Sequence, residues 1–204
     1  MYEEIMAHIK LSPEELKKQV ILKRQDDIFY LLLNKKMNLF SHDFIRNIED
    51  ALTEVEESEG PACLVTLSLD KKHFSGGLDL KYTSNFKHIQ EFKYFVLEFI
   101  SMLGRFASLN VPTIAVVKGG VIAGGCMTAF AHDIIYVVDH ATLACNEVDI
   151  GLPLPPGMME TIKRKHSNKQ SLRDMVLFGK KFSEREALEN KMIDAIIPNL
   201  KTAI

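Results

Sequence analysis

Short apolar runs alternate along this chain with longer stretches in which apolar residues return every third or fourth position. Positions 20–33 hold two apolar runs around Lys23-Arg24-Gln25-Asp26-Asp27, the second being Ile28-Phe29-Tyr30-Leu31-Leu32-Leu33. The second run is too short and too aromatic for a helix, so the pattern predicts a two-stranded hairpin. After Ser41 the residues Phe44, Ile45, Ile48, Leu52 and Val55 fall at steps of three and four among acidic residues, and Gly60-Pro61 closes the run. That spacing predicts an amphipathic surface helix. Positions 62–69 read as a buried strand, Ile89, Phe92, Val96, Phe99, Ile100 and Leu103 as a second helix, and 111–117 as another strand. Further strands are predicted at 134–138, 142–145 and 193–197. Ser12-Pro13-Glu14-Glu15 and Ser183-Glu184-Arg185-Glu186 each place a hydroxyl three residues ahead of a Glu, the pattern that starts a helix. Beyond Pro153-Leu154-Pro155-Pro156-Gly157 the chain turns helical, and the charged stretch 161–169 reads as a solvated helix face. The recurrence of strand, helix and strand predicts an α/β domain over 20–204, preceded by a helical extension over 1–19.

Two glycine-bearing segments interrupt this alternation. Lys71-Lys72-His73-Phe74-Ser75-Gly76-Gly77-Leu78-Asp79-Leu80 follows a strand directly, and Gly119-Gly120-Val121-Ile122-Ala123-Gly124-Gly125-Cys126 opens an Ala- and Met-rich helix that ends at Ala131. Glycine lets the backbone turn sharply and lie close to a ligand, so each segment can be a plain tight turn or can aim a backbone N–H into a shared cavity. Two such donors would form an oxyanion hole.

Composition narrows the function. The chain has 204 residues, 47% of them hydrophobic and 25% charged, with 25 Lys and Arg against 27 Asp and Glu. A formal net charge of -2 supplies no overall field for nucleic acid or an anionic membrane. No apolar run reaches the roughly 18 to 20 residues of a membrane helix, and the N-terminal residues do not form a basic stretch followed by an apolar one; the expectation is a soluble chain without a visible signal peptide. The 3 cysteines, Cys63, Cys126 and Cys145, form no C-x-x-C pair and have no His at zinc spacing, so they read as reduced, buried, small apolar residues.

Three ordered motifs give the chain a resemblance to the enoyl-CoA hydratase/isomerase (crotonase) superfamily from about position 20 to about 198. The first is Phe74-Ser75-Gly76-Gly77-Leu78-Asp79-Leu80. The second is Pro112-Thr113-Ile114-Ala115-Val116-Val117-Lys118-Gly119 followed by Ala123-Gly124-Gly125-Cys126. The third is Asp133-Ile134-Ile135-Tyr136 with Asn146-Glu147-Val148-Asp149-Ile150-Gly151-Leu152. The resemblance implies a spiral α/β fold of repeated ββα units with a short C-terminal helical region, and an acyl-CoA thioester as substrate. It implies an oxyanion hole made by the N–H groups of Leu78 and Gly124, and contacts to substrate from Ser75, Gly76, Gly77, Asp79, Leu80, Gly125 and Lys72. It also implies a homotrimer, with no cofactor beyond the coenzyme A of the substrate.

Hydratases of the superfamily use two carboxylates, at positions that here are Met127 and Glu147. A thioether cannot carry a proton, so one acid is left, which suits moving a proton from C2 to C4 of one substrate. The arrangement is similar to the Δ3,Δ2-enoyl-CoA isomerases, in particular the plant peroxisomal branch, and implies unsaturated fatty acid β-oxidation in a peroxisome, with cytoplasm or mitochondrion as alternatives. Another crotonase-type acyl-CoA enzyme and a non-catalytic acyl-CoA-binding protein are the competing functions. Among the remaining candidates, His73 and His132 read as loop and helix-end histidines, Asp79 as a cap of the following turn, and Asp149 as a surface or interface acid. Lys71 and Lys72 are either solvated or placed to meet coenzyme A phosphates.

Overall fold

A computed structural model of the chain describes residues 9–197. The predicted hairpin forms as β1 (Val20–Gln25) and β2 (Ile28–Leu33), antiparallel with Lys23 opposite Tyr30. From β2 the sheet continues in parallel through β3 (Cys63–Ser68) to β5 (Thr113–Ile122) and β6 (Ile134–Ala144). A short β4 (His73–Ser75) pairs with the far half of β5, while β7 (Phe182–Ser183) and β8 (Ala195–Ile197) pair with β6. This mixed sheet, with a ββα unit opening it and helices against one face, is the predicted crotonase-like α/β architecture.

Both faces of the sheet are buried, which the continuous apolar runs of its strands require. Phe29, Leu31 and Leu33 of β2 turn toward the helices, whereas Tyr30 and Leu32 turn to a second apolar layer with Val65, Leu67, Val116 and Ile197. Ile9 belongs to that second layer, so the segment before β1 covers the sheet's outer face. On the helical face, α1 (His42–Glu56) buries the predicted stripe of Phe44, Ile45, Ile48, Leu52 and Val55. The short α2 (Leu80–Thr83) precedes α3 (Ile89–Ser108), which buries Phe95, Phe99, Met102, Leu103 and Phe106. Every residue of α4 (Gly124–Ala131) is buried, and α5 (Pro156–Lys163), α6 (Lys169–Phe178) and α7 (Glu184–Glu189) complete the helices.

Four local expectations change. The strand at 111–117 and the two at 134–138 and 142–145 are parts of two long strands, β5 and β6, which stay paired past a register shift between Val117 and Gly119. Gly119, at φ +61, sits against the Lys72 carbonyl where a side chain would collide, so the Gly119-Gly120 pair bends a strand rather than starting a loop. The stretch 161–169 is the end of α5 and the start of α6, not one helix. Ser12 and Glu15 do exchange the predicted capping hydrogen bonds, yet only one 3-10 turn, Glu15–Lys17, follows them. Cys126 and Cys145 are buried, Cys63 is half-buried, and all three are free thiols.

Candidate active site

The first glycine loop is held from behind by two polar residues. Asp70 accepts the N–H groups of Lys72 at 2.8 Å and His73 at 2.9 Å through Oδ1, and that of Met37 at 3.0 Å through Oδ2. Burial pushes its carboxyl up, but these backbone donors outweigh burial and hold it below the ordinary aspartate value. Asn38, fully buried, donates to Ser68 Oγ at 2.7 Å and to the Phe74 carbonyl at 2.8 Å. The Ser75 hydroxyl donates to the Asn38 carbonyl at 2.8 Å and accepts the Gly77 N–H at 3.1 Å.

Leu78 then bridges Phe40 in parallel fashion. In that pairing the hydrogen bonds come from its neighbours: Phe40 N–H donates to the Gly77 carbonyl and Asp79 N–H to the Phe40 carbonyl, both at 2.9 Å. The N–H of Leu78 faces the opposite way and has no acceptor among the described residues. The second loop leaves β5 through Ala123, whose φ of 54° is unusual for a residue with a side chain. Its N–H donates to the Ala144 carbonyl at 2.7 Å, which ties the turn to the end of β6. Gly124 opens α4, and its N–H also lacks an acceptor among the described residues, as the first N–H groups of a helix do.

The two loops meet at their glycines. A Cβ on Gly77, where φ is +86, would lie 2.9 Å from both the Ala123 Cβ and the Gly124 nitrogen; one on Gly124 would lie 2.9 Å from Phe99 Cζ. Glycine is required at Gly77 by the positive φ and by this approach together.

Glu147 begins the 3-10 turn Glu147–Ile150 that follows β6, and Gly151 closes the turn in the left-handed region. Its side chain is 5% exposed and its Oε2 has no hydrogen-bond partner. Burial pushes its carboxyl up to about 7, with its own backbone N–H pulling weakly the other way. A small cavity of about 160 Å³ joins the parts: Gly76, Leu78 and Leu80 from the first loop, Ile122 and Ala123 from the second, and Asn146, Glu147, Ile150 and Leu152 from the third motif. Glu147 is the one titratable group in this lining. A buried carboxylate of raised basicity beside unspent backbone N–H groups is suited to proton abstraction next to a carbonyl whose oxygen gathers charge.

Of the residues expected to touch substrate, Gly76, Leu78 and Leu80 line the cavity. Gly77 and Gly124 are not in the lining, although Ala123, the neighbour of Gly124, is. Four others have structural work. Ser75 spends its hydroxyl within the loop, and Gly125 is packed against the Ser75 carbonyl. Asp79 caps α2 by accepting the Tyr82 N–H at 2.9 Å, with Lys35 at 3.9 Å from its other oxygen. Lys72 is exposed and holds the turn through its backbone N–H and carbonyl. Met127 is fully buried in α4 and is not part of the lining. His132 is fully buried between the Thr128 carbonyl and Thr66 Oγ1, each at 2.8 Å. Ile122, Ala123, Asn146 and Ile150 were not singled out by the sequence; the available signal was position within the second glycine segment for Ile122 and Ala123 and within the third motif for Asn146 and Ile150. Among the described residues no three His, Cys, Asp or Glu side chains converge as metal ligands, and no helix is long and apolar enough to cross a membrane.

Known proteins share these features. Residues 23–203 match the family model described as Enoyl-CoA hydratase/isomerase. Enoyl-CoA delta isomerase 3 of Arabidopsis thaliana is 29% identical over 178 residues, which cover 85% of this chain and 75% of the relative. The same plant's peroxisomal Enoyl-CoA delta isomerase 2 is 27% identical over 180 residues, with 85% and 75% covered. Proteins named as enoyl-CoA hydratases also match, at 22% identity. Among solved structures, an enoyl-CoA hydratase from Thermoplasma volcanium superposes with a TM-score of 0.81 at 24% identity, covering 91% of this chain and 74% of the other. With the family model spanning nearly the whole α/β domain and the three motifs folded around one cavity, the chain belongs to the enoyl-CoA hydratase/isomerase family.

Proposed function

We propose that this member of the family is a Δ3,Δ2-enoyl-CoA isomerase. The observation that carries the reading is the lone carboxylate: among the residues lining the cavity, Glu147 alone can exchange a proton, and its Oε2 is unpartnered. In the proposed reaction the thioester oxygen lies against the N–H groups of Leu78 and Gly124. The Glu147 carboxylate takes a proton from C2, and the C–H electron pair moves into a dienolate whose charge collects on the thioester oxygen. Fixed backbone donors stabilise that charge without having to reorganise. Protonated Glu147 then returns the proton at C4, so that the C3–C4 double bond becomes C2–C3. The scheme needs no cofactor other than the coenzyme A already present in the substrate.

Hydration is the second reading, supported by relatives that bear that name. It would hold a water between two carboxylates, and the next two acids after Glu147 in the sequence are otherwise engaged. Asp149 accepts from the Asn146 amide at 3.0 Å, and Glu160 pairs with Lys163 at 2.7 Å. Exposed Val148, Ile150, Leu177 and Phe178 would be covered in the proposed trimer, and the relative named as peroxisomal supports a peroxisomal setting. The test is direct: purified protein is incubated with a 3-enoyl-CoA, and the conjugated 2-enoyl product is followed by its absorbance. Absence of that product, with 2-enoyl-CoA hydrated instead, would replace the isomerase reading by the hydratase one.

A further inference from the structure

The Leu78 N–H stands at the end of a chain of hydrogen bonds that begins on a charge. Lys35 follows β2, and its own N–H donates to Asn38 Oδ1 at 2.8 Å, which fixes its backbone. Its Nζ donates to the Leu39 carbonyl at 2.7 Å and to Ser41 Oγ at 3.2 Å. Asp79 Oδ2 lies 3.9 Å from Nζ, and the Phe44 ring 5.4 Å. A lysine kept for solubility leaves its ammonium in water, whereas this one is drawn onto a backbone carbonyl. Burial pulls its pKa below the ordinary lysine value, while Asp79 and Asp43 oppose that pull and keep the charge.

The Leu39 carbonyl shares a peptide unit with the Phe40 N–H, which donates to the Gly77 carbonyl at 2.9 Å. The Gly77 carbonyl in turn shares a peptide unit with the Leu78 N–H. A trans peptide carries its C=O and N–H on opposite sides, so from Lys35 the two peptide dipoles run head to tail and end at Leu78. We infer that Lys35 is a positioning residue for the oxyanion hole: its charge polarises these two peptides and strengthens the Leu78 N–H as a donor to the substrate oxygen. The inference rests on reading the Glu147 cavity as the thioester site, and it assigns a role to a residue outside the lining and outside all three motifs. Bonds in such a chain strengthen one another by about 10–30% each. The same ammonium also grips both sides of the Phe40–Leu78 bridge, holding Leu39 and Ser41 on one side and facing Asp79 on the other.

Infrared spectroscopy of bound butyryl-CoA, labelled with carbon-13 at the thioester carbonyl, reads this polarisation, because a stronger donor lowers the carbonyl stretching frequency. Butyryl-CoA has no double bond to move, so isomerisation does not enter. In the wild type the frequency should fall on binding. In Lys35→Met that fall should shrink by roughly a quarter or more, and in Lys35→Arg most of it should be kept. With 3-enoyl-CoA, Lys35→Met should lower kcat by about 3- to 10-fold and leave KM within about twofold. Lys35→Gln, which drops the charge and keeps an N–H donor, gives the same reading should Lys35→Met not fold. A wild-type fall that Lys35→Met and Lys35→Gln leave intact would overturn the inference, as would one that Lys35→Arg loses as fully as Lys35→Met. Absence of any fall in the wild type would overturn the oxyanion-hole reading and this inference with it. A Lys35-dependent fall in a protein that does not isomerise 3-enoyl-CoA would sink the isomerase proposal alone and leave Lys35 in its role.

Discussion

Gly77 and Gly124 touch across the two loops: a methyl group on Gly77 would sit 2.9 Å from the backbone nitrogen of Gly124. That contact sets the spacing between the donor on Leu78 and the donor on Gly124, because each belongs to the peptide next to or at the contact. Gly77→Ala should therefore act twice. The positive φ costs the new residue about 1 kcal/mol or more, and the methyl group displaces Gly124. Loss of one well-aimed donor typically lowers kcat by about 100- to 1000-fold, and a decrease in that range is expected with the fold retained by circular dichroism. Near wild-type turnover would show that Gly124 N–H is not used.

Glu147→Gln should abolish isomerisation while leaving the Kd for a saturated acyl-CoA within about threefold of wild type. Glutamine keeps the shape and cannot take the C2 proton, so the loss should fall on kcat. Retained turnover would identify another base.

The raised carboxyl of Glu147 has consequences for pH. As a base it must be ionised, so kcat/KM should rise with an apparent pKa near 7 instead of near the ordinary carboxylate value of 4.5. Its folded pKa lies above the unfolded one, so the stability it confers is present below about 4.5 and is lost as pH rises through about 7. Relative to Glu147→Gln, the wild type should lose about 2 kcal/mol of unfolding free energy between pH 5 and pH 8, measured by urea titration at each pH. Parallel curves for the two proteins would contradict burial of a proton-binding group there.

The ratio of kcat/KM for 3-enoyl-CoA isomerisation to that for 2-enoyl-CoA hydration should exceed about 100 in the wild type, a gap of at least about 2.7 kcal/mol in barrier. Hydration lacks a second carboxylate in the lining of the cavity. Met127→Glu is expected to cost stability rather than to install that carboxylate, because Met127 is fully buried in α4 and outside the lining. A gain of hydratase activity in this variant would show that α4 can turn its side chain toward the cavity.

His132 illustrates the opposite titration. Its neutral ring is satisfied on both sides, with Nδ1–H donating to the Thr128 carbonyl and Nε2 accepting from the Thr66 hydroxyl, and burial pushes its pKa down to about 4. The folded value lies below the unfolded one, so the associated stability is present above about 6.5 and is lost as pH falls toward 4, by up to about 3 kcal/mol. Since Glu147 acts with the opposite sign over part of this window, the effect is best read in Glu147→Gln protein. NMR titration of the His132 ring should show no protonation above about pH 5; a midpoint near 6.5 would contradict the buried neutral pair.

Along the chain, periodicity determined which segments are strands and which are helices. The apolar stripe of α1, the hairpin and the capping box at Ser183 depend on neighbours within one or two turns, and they form as their residues dictate. The three motifs likewise marked the family, because residue type at fixed spacing is a local property. Only the tertiary structure decided which members of those motifs meet. Ser75, Asp79, Gly125 and Lys72 look no different in sequence from Gly76 or Leu80, yet hydrogen bonds and packing commit the first four to holding the loops while the other two reach the cavity. The continuity of β5 and β6 through Gly119 and His140 was equally illegible, since a strand that bends and one that ends carry the same residues, and pairing with β4, β7 and β8 keeps the backbone extended. The raised basicity of Glu147 belongs to the fold as well: one carboxylate in a chain of ordinary charge acquires it only when β6, the glycine loops and Leu152 enclose it away from water.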